Sequence, residues 1–342
     1  MKTPMIPPWV LLASSMLIPG MAQGRHDTIL GCSDVGCPPD MGRDGAPSVS
    51  DNCTVGPESH SYVGVARIPS LQAEGLKQGH LTWVQGSRVH SVTVDAKTNT
   101  HGQVYNHTFY LGAAPDLKLD DWGACAVFFN GPYNASLLNF TKTSLPEENE
   151  GTCADAMGGD NGCVEALQDR AMSLMRFGSN SSSSQGTCQT LLEDLQQREI
   201  PACNSWTEHK WGNLTAVALT GNNAPKPITG DRNASSNCWP VESKQDSLTP
   251  IFHREIHETN IYSYWAITPI LTLFWPVTNG TTDNRRSNAA LTCVKPIGPP
   301  NASLATMKGG GGDEGAASTV WSSSIPSIVA GTAAAFVLFN LL

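Results

Sequence analysis

The sequence predicts an α+β protein: an antiparallel, β-rich domain stapled by disulfides, with a helical hairpin inserted in its middle. Three observations carry that expectation. Alternating apolar and polar residues recur between His60 and Phe129, apolar residues recur at helical spacing between Val164 and Leu195, and ten cysteines are spread through the chain.

The strand signal covers His60 to Ile68, Leu81 to Ala96, Gln103 to Leu111 and Ala124 to Phe129. In the third of these, Tyr105, Phe109 and Leu111 fall on one face and Asn106 and Thr108 on the other, as a half-buried strand requires. Val92 and Val94 alternate with Ser91, Thr93 and Asp95 in the same way. One-sided burial is the mark of antiparallel sheets, and it would leave Asn106 in solvent. Strand character returns in Asn213 to Leu219 and in Ile261 to Trp275, where Pro269 predicts two strands or a broken edge strand. Tyr262, Tyr264, Trp265 and Trp275 make this the most aromatic stretch, and its apolar residues read as core rather than as a ligand platform.

Between the β regions the period changes. Val164, Leu167, Ala171 and Leu174 share one helical face, and so do Cys188, Leu191, Leu192 and Leu195, with a Ser-rich connector from Gly178 to Gly186. In an antiparallel hairpin Cys163 lies near Cys203, while Cys188 lies about 20 Å away at the other end. A disulfide needs Cα atoms within roughly 7 Å. The expected pairs are therefore Cys163–Cys203 and Cys153–Cys188, with the rest drawn from Cys32, Cys37, Cys53, Cys125, Cys238 and Cys293. An even number of cysteines without a CxxC pair reads as a disulfide framework and not as a zinc site.

Both ends look like export signals. Lys2, an apolar run from Trp9 to Ile18, and Gly20 and Ala22 placed at −3 and −1 form a secretory signal over residues 1–22. Ile328 to Leu342 is apolar and preceded by a polar spacer, Ser318 to Ser327, and the small residues Gly315, Ala316 and Ala317. That order predicts exchange for a glycolipid at Gly315, with residues 316–342 a removable GPI-attachment propeptide; a single-pass anchor is the competing reading. Between the signals lie a Cys/Gly/Pro-rich segment (23–57), an antiparallel β region (58–150), the stapled hairpin (151–204), a second β region completing the sheet (205–297) and a Gly/Ser/Pro-rich stalk (298–315). Gly309 to Gly312 belongs to the stalk; no strand precedes it and no Lys-Ser/Thr follows, so it is no phosphate loop.

Composition agrees with exposure on a cell surface. Only 15% of residues are charged, against about 25% in ordinary domains. Nine of the asparagines begin an Asn-x-Ser/Thr triplet, about twice the four or so that chance would place: Asn52, Asn106, Asn134, Asn139, Asn180, Asn213, Asn233, Asn279 and Asn301. Glycan at these positions would supply the missing solvation. The formal net charge is −9 and no basic cluster occurs, which argues against a nucleic-acid partner.

No catalytic constellation and no cofactor motif stand out. His253 and His257 in His253-Arg254-Glu255-Ile256-His257-Glu258 share a face and could hold a metal, but no third ligand is indicated and a solvated polar face is the plainer reading. Asp116, Asp120 and Asp121, and Glu147, Glu148 and Glu150, could supply the two carboxyls of a glycosidase, yet they read equally as charged loops. There is no GxSxG.

The signal, the spaced cysteines, the dense sequons, the Gly-rich stalk and the lipid-attachment tail together resemble the GPI-anchored, cysteine-rich surface glycoproteins of filamentous fungi. Val104-Tyr-Asn-His-Thr-Phe-Tyr and Trp211-Gly-Asn-Leu-Thr-Ala-Val-Ala-Leu-Thr are similar to stretches in such chains. The resemblance implies a surface or cell-wall glycoprotein, structural or ligand-binding and non-enzymatic, held to the outer leaflet by its glycolipid and in contact with wall polysaccharide. A GPI-anchored hydrolase or transglycosylase of that polysaccharide, or a secreted carbohydrate-recognition module, are the alternatives.

Overall fold

The computed structural model describes residues 29–41, 45, 47–68, 80–95, 100–115, 117, 119, 122–131, 153, 161–177, 183–207, 211–228, 236–241, 245–257, 267–278, 281–282 and 287–297. They form two antiparallel sheets packed face to face, with a pair of helices on one outer surface and a small cap on the other.

The first sheet has the order β1-β6-β7-β8-β11, from β1 (Ile29–Gly31), β6 (Tyr62–Arg67), β7 (Leu81–Asp95), β8 (Thr100–Ala113) and β11 (Ser247–His257). The second is β10 (Asn213–Ala218), β9 (Trp122–Gly131) and β12 (Thr268–Thr278), with β14 (Asn288–Val294) and the short β13 (Thr281–Thr282) both paired to β12. All the pairings are antiparallel.

Burial separates the strands by position. β9 and β12 are central in a sheet covered on both faces, so Ala124 to Phe129 and Ile270 to Trp275 are continuously buried runs rather than alternating ones. Between the sheets Trp83, Phe109, Phe128 and Phe252 form an aromatic cluster, with Trp83 edge-on to Phe128 at 5.4 Å and Phe109 against Phe128 at 5.2 Å. The buried indole N–H of Trp83 donates to Thr272 Oγ1 across the sheets at 2.9 Å. Pro269 does not break β12. It is the second residue of the strand and pairs with Cys293 of β14, while the ladder to β9 begins only at Ile270, so its missing N–H falls outside that ladder.

The helices α2 (Asn161–Phe177) and α3 (Ser184–Gln197) bury Leu167 and Ala171 of the first predicted stripe and Cys188, Leu191 and Leu195 of the second; Val164, Leu174 and Leu192 are half-buried, and Met175 takes the buried place expected of Leu174. Ser183 caps α3, accepting from the Gly186 N–H at 3.2 Å. Each helix docks on different strands, α2 on β14 and β12, α3 on β10 and β9. Arg170 of α2 donates from Nε and Nη2 to the two oxygens of the buried Asp194 carboxylate on α3, which Arg198 also contacts at 3.0 Å.

That docking explains the disulfides. Cys163 bonds Cys203, in a 3₁₀ turn (Pro201–Cys203) leading to α4 (Asn204–Thr207), with Cα atoms 4.8 Å apart. The expected Cys153–Cys188 bond is not formed: Cys188 points down from α3 onto β9 and joins Cys125, and Cys153 joins Cys293 of β14. Cys188 lies on the face of α3 that meets the sheet, so it pairs with the strand beneath and not with Cys153.

The outer face of the first sheet is covered too, against the expectation of one-sided burial. The cap consists of α1 (Cys32–Val35), the ribbons β2 (Pro39–Met41) with β3 (Pro47–Asp51) and β4 (Cys53–Val55) with β5 (Glu58–His60), and the segment 236–241. A second core forms there from Val55, Val63, Val65, Val84, Tyr110, Trp239, Val241 and Leu248. Two disulfides complete it, Cys32–Cys37 and Cys53–Cys238. The polar alternation read in β8 is real, but Thr108 is buried beneath the cap and Asn106 is half-buried at its margin.

Candidate functional site

Where the cap ends, the outer face of the first sheet opens into a groove. Its floor follows from strand register. Gly86 of β7 and His253 of β11 both lie opposite Thr108 of β8, Arg88 and Glu255 both lie opposite Asn106, and His90 and His257 both lie opposite Val104. Residues in such ranks share a face, so Arg88, Asn106, Thr108, His253 and Glu255 come to one side of the sheet. The wall is the β4–β5 ribbon, whose tip is the two-residue turn Gly56-Pro57. Gly56 adopts φ of 59°, the left-handed value that the first position of a type II′ turn requires.

Two adjoining cavities occupy this groove, of about 370 and 290 Å³, and share Pro57, Glu58 and Thr108. The first is mostly apolar, reaching Val55, Tyr110 and Ile228, and the second is polar, reaching His60, Arg88, His90 and Asn106. His60 lies against β7 at Gly86, where any Cβ would collide with the imidazole, and shares a 2.9 Å hydrogen bond with the buried Tyr110 hydroxyl. Burial, with lesser contributions from His253 and Arg88, pushes the His60 pKa down to about 4. The ring is therefore neutral at physiological pH. Thr108 Oγ1 and His253 Nδ1 share a 3.0 Å hydrogen bond, and His253 Nε2 lies 3.8 Å from Glu255. That last separation is too long for a hydrogen bond, and Thr108 is buried, so the trio does not make an activated nucleophile.

The other sequence candidates are dispersed. His253 stands exposed in the groove and His257 lies four residues along the same strand, but among the described residues no further ligand joins them. Asn52 and Asn213 are exposed, and Asn106 lines the groove with its amide 3.5 Å from His90 Nδ1. Trp275 is buried in the core. Asn134, Asn139, Asn180, Asn233, Asn279, Asn301, Gly315, the residues Asp116, Asp120 and Asp121, the group Glu147, Glu148 and Glu150, and Tyr262, Tyr264 and Trp265 lie outside the described residues.

Sequence reasoning missed Glu58, His60, Arg88 and His90. The available signal was Arg88 and His90, two apart on one face of β7, which come beside Asn106 and Thr108 only once the β7–β8 register is known.

A second polar cluster lies inside the sandwich. His107 is fully buried between the sheets, with Nδ1 in hydrogen-bond reach of Ser87 Oγ at 2.8 Å and Gln85 Nε2 at 3.0 Å. Burial first, then Arg254, His253 and His60, lowers its pKa well below the usual imidazole range. Without access to solvent it serves the fold.

No family model, curated protein or solved structure matches the chain. The site must therefore be read from its own chemistry.

Proposed function

We propose that this chain is an exported surface glycoprotein, held to the outer leaflet by a glycolipid at Gly315, whose sandwich is a non-enzymatic binding module for wall polysaccharide. The observation that carries the reading is the groove itself: a two-part recess lined by Arg88, His90, Asn106 and Glu58, which offers both hydrogen-bond donors and acceptors to a hydroxyl-rich ligand. Glu58 lines both cavities and Glu255 lies opposite Asn106 on the same floor, so acidic acceptors stand beside the Arg88 donor. The disulfide-paired cysteines, none of them free, suit an oxidising compartment. Among the described residues no helix is long and apolar enough to cross a membrane.

The two halves of the proposal are tested separately. Phosphatidylinositol-specific phospholipase should release the native protein from membranes, and retention in the bilayer after treatment would sink the tether. A polysaccharide array should show binding that Arg88→Ala weakens about tenfold, the equivalent of about 1.4 kcal/mol for a lost charged hydrogen bond. Silence across the array would sink the ligand class.

A further inference from the structure

The two disulfides of the cap are neighbours. Cys32–Cys37 closes a short loop at α1, and Cys53–Cys238 ties the β4–β5 ribbon to the segment 236–241. Although they belong to different bonds, Cys37 Sγ lies 4.0 Å from Cys238 Sγ. The sulfurs of Cys37, Cys53 and Cys238 all fall within 4.8 Å of one another, and among the described residues no other three cysteines gather in this way. Exposure is also divided: Cys32 and Cys53 are buried at 1% and 0%, whereas Cys37 and Cys238 are half-buried.

From this arrangement we infer that the cap is a thiol–disulfide exchange centre, in which reduction of Cys32–Cys37 by a dithiol is passed on to Cys53–Cys238. The dithiol attacks the accessible Cys37 sulfur, Cys32 leaves as a thiolate, and the second thiol of the reductant closes its own disulfide and releases Cys37. Two electrons have then moved from the dithiol to the protein. The Cys37 thiolate next attacks Cys238, the Cys53–Cys238 bond breaks, a Cys37–Cys238 bond forms, and Cys53 departs as a thiolate that takes a proton from water. The product holds one disulfide and two buried thiols, at Cys32 and Cys53.

Loop length does not oppose the second step. The old bond spans 185 residues and the new one 201, and closure entropy depends only on the logarithm of that number. Structurally, the exchange moves the anchor off the ribbon that walls the groove. The ribbon then keeps its hydrogen bonds to the segment, Thr54 N–H to Asn237 Oδ1 at 2.7 Å, Gly56 N–H to Ser236 Oγ at 2.8 Å, and the N–H groups of Asn237 and Cys238 to the Thr54 carbonyl at 3.0 and 3.5 Å, but loses its covalent tie. Reduction of one small loop would thus loosen the wall near Val55 and Glu58. This inference stands whether or not the groove binds polysaccharide.

The test is a disulfide map of the full mature protein before and after limited exposure to a small dithiol, quenched by alkylation. Cleavage before Asp34, Asp40 and Asp51 puts Cys32, Cys37 and Cys53 on separate peptides. The expected result is a Cys37–Cys238 peptide that rises as Cys53–Cys238 falls, with alkylated Cys32 and Cys53, while Cys125–Cys188, Cys153–Cys293 and Cys163–Cys203 stay intact. Opening of Cys32–Cys37 with Cys53–Cys238 unchanged would overturn the inference, and so would pairs scrambled over all ten cysteines. In Cys32→Ser, where Cys37 is a permanent thiol, alkylation should divide between Cys37 and Cys53. Label on Cys37 alone would also overturn it, and if that variant fails to fold, the wild-type map decides.

Discussion

The molecule has two cores, and they are made differently. Between the sheets, large aromatic and aliphatic side chains from β7, β8, β9, β11 and β12 interlock, and Trp83, Phe109, Phe128 and Phe274 are fully buried. Beneath the cap the elements are three to five residues long, the apolar groups are mostly valines, and two disulfides stand among them. Short ribbons bury too little surface to offset the entropy of ordering them, so cross-links take the place of packing. The groove opens beside the second core. A region built this way is the one expected to open most readily.

Removing one anchor from each core breaks this contrast most directly. Phe128→Ala should cost about 3–5 kcal/mol in urea unfolding, since neighbouring rings cannot close over the space. It should lower the whole unfolding transition. Replacing Cys53 and Cys238 together by alanine should cost about 2–5 kcal/mol, and hydrogen exchange should show faster opening in Cys53–His60 than in β9. Equal acceleration in both places would mean that the cap is not a separate, weaker unit.

Each core also carries a buried histidine, and acid should reveal both. An unfolded imidazole takes its proton near pH 6.5, whereas His60 resists until about 4 and His107 lies well below its usual range. The unfolded chain therefore binds more protons as pH falls below 6.5, and stability drops by about 1.4 kcal/mol per pH unit for each histidine. For His60 the loss ends near pH 4. Asp51, pushed up to about 6 by burial, works in the opposite sense, because it is protonated in the folded state first. Comparing His60→Gln and His107→Gln with wild type cancels that opposing contribution. Each variant should flatten the slope between pH 6.5 and 5, and an unchanged slope would show that the ring was already charged in the fold.

The smallest effect belongs to the helices. Arg170→Ala removes a bidentate partner from the buried Asp194 but leaves Arg198 at 3.0 Å, so urea unfolding should register a loss of about 1 kcal/mol. A loss several times larger would show that the two helices depend on this ion pair rather than on the sheet below them.

Local pattern made the main elements legible before any coordinates. β7, β8 and both long helices fall where alternation and helical spacing place them, and β9 falls on a short apolar run, because each pattern belongs to a single segment. What stayed hidden depends on segments far apart in sequence. Cys153 pairs across 140 residues, and no property of residues near 153 encodes the strand that carries Cys293. Thr108 reads as a solvent-facing residue until Trp239 and Val241 are folded over the sheet close to Tyr110. The groove was invisible for the same reason: His60, Arg88, Asn106 and His253 become neighbours only through register. Trp275 in the core agrees with the aromatic stretch as packing, and the continuous burial of β12 shows why its pattern does not alternate.

The rims of the two sheets have a bearing on crowding. β11 ends the first sheet with Pro250, an irregularity in its ladder just after it, and then Arg254 and Glu255, while the opposite rim is the three-residue β1. β10 starts its rim of the second sheet at the exposed Asn213. Proline, a kinked ladder, charge and brevity all deny an incoming strand a straight row of amides to copy. At both of its rims the first sheet therefore resists fusing edge to edge with another copy into fibres.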